Sequence, residues 1–111
     1  MDLGTFDAPS NFDISVLCSA LNNFIDTPQM NGIPKWKKNQ LNDQAKVAKE
    51  KLENREIDFY AKDIQAMLAA SMLMLDKLND NENADKETSR LINACVRNIN
   101  WCKEIFDDMP I

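Results

Sequence analysis

Ile14, Leu17, Cys18, Leu21, Phe24 and Ile25 follow one another at intervals of three and four residues, the spacing that gathers side chains on one face of an α-helix. Val16 and Ala20 widen that stripe. Ser10 or Asn11 stands ahead of it as an N-cap, and Asp13 lies where a negative charge meets the positive helix end. These signals predict a first helix over 11–26. The stretch that follows, DTPQMNGIP, holds Pro28, Pro34 and the Asn31-Gly32 pair, which is turn chemistry.

From Lys35 to Met109 there is neither proline nor glycine, and so long a run without turn formers is hard to reconcile with strands. The residues are instead good helix formers, rich in Ala, Leu, Met, Lys, Glu and Gln. Pro34 suits the first turn of a second helix, predicted over 34–55. There Leu41, Ala45, Ala48 and Leu52 make a narrow apolar seam, flanked by Lys35, Lys38, Lys46 and Lys49. A third helix, over 58–79, is marked by Ile57, Tyr60, Ala61, Ile64, Met67, Leu68, Ser71, Met74, Leu75 and Leu78. Its opposite side, with Ala66, Ala69, Ala70 and Leu73, is apolar as well.

Nothing in ENREID forbids one rod running through the second and third helices. The seam argues for two, because extending it past Leu52 leads to positions near 56, 59 and 63, whereas the third stripe starts at Ile57 and goes on at 60, 61 and 64. A break near 54–58, with Asp58 as a cap, reconciles them. The polar NDNENAD is a further connector. Beyond it a fourth helix, over 84–107, turns Leu91, Ile92, Cys95, Ile99, Cys102, Ile105 and Phe106 inward.

The expected fold is all-α: a single-domain antiparallel bundle of about four helices, alone or as a dimer, with residues 1–9 as a flexible N-terminal segment. Gln65 to Leu75 carries no charge, and a helix from Ile64 to Leu75 would span about 18 Å, against about 30 Å for the hydrocarbon of a bilayer. It is expected to be core, because each large aliphatic side chain contributes roughly 1.5–3 kcal/mol when buried. The third helix is therefore expected at the centre of the bundle or of a dimer.

Composition adds an electrostatic layer. The chain of 111 residues carries a net charge of −5 and has a pI near 4.6, a field that repels nucleic acid and anionic lipid. The charge is uneven, since residues 1–34 contain Asp2, Asp7, Asp13 and Asp26 but no Lys or Arg, whereas 35–51 set six lysines against Asp43 and Glu50. The basic segment can dock on the acidic one. Cys18, Cys95 and Cys102 cannot all pair within the chain. Cys95 and Cys102 stand two helical turns apart, beyond disulfide reach, so reduced thiols and a cytoplasmic location are expected. No secretory signal is expected. Heavy use of Asn and Lys points to an AT-rich genome, such as that of a low-GC bacterium or its phage.

The chain has no histidine, which removes the common general base and the Ser-His, Cys-His and Glu-x-x-His arrangements. With Gly4 and Gly32 its only glycines, it cannot build a P-loop or dinucleotide fingerprint. No enzyme, cofactor or metal site is expected. The cysteines read as core packing, and Asp80, Glu82, Asp85, Asp107 and Asp108 read as solvated helix ends. What remains is binding. Met30, Ile33 and Trp36 cluster in or beside the loop, and Met72 lies off the main seam of the third helix; together they are the candidate surface for a protein partner, a second copy included. One alternative is nucleic-acid contact through Lys35, Lys37, Lys38, Lys46 and Lys49, the lysines about Trp36 being able to pair phosphates while its ring stacks on a base. Another is an acidic surface that imitates nucleic acid and inhibits a DNA-handling protein.

Overall fold

The computed structural model describes residues 10–27, 32–56, 59–80 and 85–108. Among them the chain forms four α-helices and no strand: α1 (Asn11–Asp26), α2 (Lys35–Glu53), α3 (Ala61–Asn79) and α4 (Lys86–Asp108). They make a four-helix bundle. The N-terminal segment 1–9, together with Met30, Ile57 and Asp58, lies outside the described residues.

Local chemistry sets the ends. Ser10 is the N-cap of α1, its hydroxyl accepting from the Asp13 N–H at 3.1 Å. Gly32 holds φ +82° in the turn before α2, a conformation that glycine adopts without strain. Pro34 sits just outside α2 in the N-cap position, one residue earlier than its expected place within the first turn. Asp85 precedes α4 and accepts from the Thr88 N–H at 2.8 Å. That bond and one from the Thr88 hydroxyl hold its carboxyl below the usual carboxylate range.

The predicted break between the second and third helices has an identifiable cause. Arg55 adopts φ 55°; its N–H donates to the Leu52 carbonyl at 3.2 Å, and the Glu56 N–H donates to the Lys51 carbonyl at 2.9 Å. This pair of bonds is a Schellman stop, with arginine where glycine is usual. The chain then runs through Phe59 and Tyr60 into α3.

Both α1 and α3 pack against all three of the other helices, whereas the backbones of α2 and α4 do not approach one another among the described residues. The section is thus a rhombus, with α1 and α3 on its short diagonal. The third helix was expected to be central on its own, and α1 shares that place. The main core joins Leu17, Leu21 and Phe24 of α1, Ala45, Ala48 and Leu52 of α2, Ile64, Met67 and Ala70 of α3, and Trp101, Cys102 and Ile105 of α4. A smaller cluster at Val16, Ala94 and Cys95 takes in Phe12, Met74, Leu75, Leu78 and Leu91.

Three inward assignments change. Tyr60 and Ala61 are exposed: Tyr60 is extended and precedes α3, where the helical period does not yet apply, and Ala61 is the first residue of the helix. Phe59 is buried in their stead, edge-on to Trp101 with ring centroids 6.3 Å apart. On α4, Trp101 is buried and Phe106 exposed. Ile105 already takes the inward direction, and its neighbour lies about 100° round the helix.

Candidate functional site

Among the described residues, the buried charged side chains Asp13, Lys38 and Asp63 all make bonds between helices. Asp13 stands in the first turn of α1 and Asp63 in the first turn of α3, and both are buried. Arg97 of α4 grips Asp13 through two N–H groups, at 2.9 and 2.8 Å, while the Asn98 amide donates to the Asp13 carbonyl at 3.0 Å. Asp63 accepts from the Tyr60 N–H at 2.8 Å, from Lys51 Nζ of α2 at 2.7 Å and from the Gln44 amide. Neither carboxylate is an open catalytic group.

The basic segment is likewise partly consumed. Lys38 is buried, its Nζ 4.3 Å from the centre of the Phe24 ring and donating to the Phe24 carbonyl at 2.8 Å and to Asn42 Oδ1. Burial pushes its ammonium down from the ordinary lysine value. Lys77 of α3 reaches the same end of α1, donating to Asn23 Oδ1 at 3.1 Å. The reason lies at the end of α1, which has no basic residue in its last turn and whose terminal carbonyls favour cations. The two neighbours supply them.

Lys38 therefore cannot serve as a phosphate contact, although the nucleic-acid alternative included it. Lys49 pairs with Glu53 at 3.0 Å. Lys35, Lys37 and Lys46 remain exposed without an ion pair among the described residues. They do not share one face: Lys37 lies about 200° round the helix from Lys35. A continuous basic strip does not form.

The candidate partner surface fares differently. Trp36 is 64% exposed and Met72 49%, and Ile33 is half-buried beside the start of α2. Trp36, Gln40, Asp43 and Val47 follow one another at intervals of four, three and four along the outward side of α2, which puts them on one strip. Next to it, between α2 and α3, opens a groove of about 360 Å³ lined by Lys37, Gln40, Leu41, Asp43, Gln44, Lys62 and Gln65. Sequence reading missed this groove, because Lys62 and Gln65 enter it only through the pairing of α2 with α3. A second groove, between α1 and α2, is lined by Asn22, Ile25, Lys46, Lys49, Glu50 and Glu53.

The thiols offer little reactivity. Cys95 and Cys102 are buried and Cys18 half-buried, all unpaired. Burial pushes each up, Cys102 to about 12, and Glu53 adds to the rise at Cys18 against the opposing pull of Lys49. Among the described residues no three Cys, Asp or Glu side chains come together as a metal site, and no helix is long and apolar enough to cross a membrane. Comparison of the chain with protein-family models, with curated proteins and with solved structures finds no match.

Proposed function

We propose that this chain is a small non-catalytic protein that acts by binding another protein, either a different one or a second copy of itself. The observation that carries the reading is Trp36. Of the two tryptophans, Trp101 is buried in the core and Trp36 stands in solvent, and exposed tryptophan is the side chain most enriched at the energetic centres of interfaces. Met72 supplies a second large apolar group outside the core, of an adaptable kind.

Catalysis is not part of the proposal, since the buried carboxylates are committed to structural bonds and the thiols are held protonated. A cytoplasmic setting fits three unpaired cysteines, and the asparagine and lysine usage fits a low-GC bacterium or phage. The nucleic-acid reading keeps only Lys35, Lys37 and Lys46 of its five lysines as free cations, which is too few for a phosphate track on a chain of net charge −5.

The test is native co-purification from the source cell, combined with molar mass by light scattering, for the natural chain and Trp36→Ala. The natural chain should hold a partner or double its mass. Trp36→Ala should lose the complex with unchanged helicity, since removing an exposed side chain does not disturb the core. Equal complex formation by both would remove Trp36 as the site.

A further inference from the structure

We infer, on the basis of the protein-binding reading above, that the groove between α2 and α3 receives an extended acidic segment of the partner. Charge selects the ligand. Within an acidic chain, this groove presents Lys37 and Lys62 without an ion pair among the described residues, against the single carboxylate of Asp43. In the α1–α2 groove, two lysines face two glutamates, and Lys49 is already paired with Glu53. Of these two grooves, the α2–α3 groove is the one left with uncompensated positive charge.

The remaining lining selects a polypeptide. Gln40, Gln44 and Gln65 bring three carboxamides into the groove, and each carboxamide offers an acceptor oxygen and donor N–H groups, the same complement that a peptide unit presents. A polyphosphate has no donors to match them. Gln44 is also tied by its amide to the buried Asp63, so that wall is in place before a ligand arrives and less ordering free energy is lost on binding. Trp36 lies one helical turn from Gln40 on the same side of α2, where it can receive an apolar side chain of a segment leaving the groove. Carboxylates against Lys37 and Lys62, backbone against the glutamines and an apolar residue against Trp36 define the ligand.

The experiment uses the full chain labelled with nitrogen-15 and three probes: a pool of twelve-residue peptides of Asp, Glu, Leu, Phe and Ser, the same pool with Lys in place of Asp and Glu, and single-stranded oligothymidine. The acidic pool should shift the side-chain amide signals of Gln40, Gln44 and Gln65. The double variant Lys37→Glu, Lys62→Glu, both at exposed positions and checked for helicity, should bind that pool at least tenfold more weakly and should take up the basic pool. The inference is overturned if neither pool binds, if the unaltered chain prefers the basic pool or oligothymidine, or if the double variant binds the acidic pool as before. Acidic peptides shifting signals elsewhere would overturn the groove alone, leaving protein binding through Trp36 to its own test.

Discussion

The two buried carboxylates invite comparison, because the same device is built at two depths. Asp13 and Asp63 occupy equivalent places, each in the first turn of a diagonal helix and each held by a cation from an outer one. The cations differ. Arg97 is 55% exposed, whereas Lys51 is 14% exposed and lies 4.3 Å from the centre of the Tyr60 ring. Water shares in the solvation of the first pair and has little access to the second. Arginine at the rim contributes mainly geometry, fixing α4 on α1 through a two-pronged grip. Lysine under the surface neutralises a charge that water does not reach, which the neutral Gln44 amide and Tyr60 N–H solvate but do not offset.

Breaking each pair in turn should expose that difference. Lys51→Met leaves Asp63 buried with only the Gln44 amide and the Tyr60 N–H, and should cost about 3 kcal/mol or more in urea unfolding. Arg97→Met leaves Asp13 beside newly admitted water, and its shift in the urea midpoint should be less than half as large. Equal shifts would show that depth is not what separates the pairs.

Alkaline pH probes the same two flanks. The α4 side carries Cys95 and Cys102, whose folded values lie above that of a free thiol. A group raised in the folded state stabilises fully below its unfolded value and loses that contribution as pH rises past it. Stability should therefore fall from pH 9 upward, toward a limit of about 1.4 kcal/mol per pH unit for each thiol. Lys38 on α2 is lowered in the folded state, so its penalty fades as pH approaches the ordinary lysine value, and it opposes the fall. Urea midpoints from pH 8 to 10.5 should decline less steeply in Cys102→Ala than in the natural chain; parallel slopes would refute the assignment.

Arg55 ties the α2 flank to the diagonal pair, because its side chain reaches from the end of α2 to Asn11 Oδ1 at the start of α1, at 3.1 Å. Arg55→Gly relieves the left-handed backbone but gives up that exposed bond. The net effect should be a stabilisation of about 0.5–1 kcal/mol, and destabilisation on thermal melting would mean that the bridge outweighs the strain.

Helix positions were legible because apolar residues at intervals of three and four leave little choice of register, as in the stripe from Ile14 to Ile25. The break after α2 was visible as a jump of the seam, although the residue that enforces it, Arg55, carries no turn signal of its own. Inward polar residues were not legible. Lys38 and Asp63 look like ordinary surface charges until α1 offers its Phe24 carbonyl to one and α2 offers Lys51 to the other. Tyr60 misled because it continues the α3 period numerically while lying outside the helix. Of the candidate surface, Trp36 and Met72 stand out as large apolar groups off the packed seams, whereas the groove depends on which faces of α2 and α3 meet.

The rhombic section has a dynamic consequence. Since α2 and α4 each rest on the diagonal pair and not on one another, either outer helix can swing away while the other stays seated. Amide hydrogen exchange in this chain should accordingly resolve two separate partial openings, one for each outer helix, above a slower exchange of α1 and α3 that waits for the whole molecule to come apart.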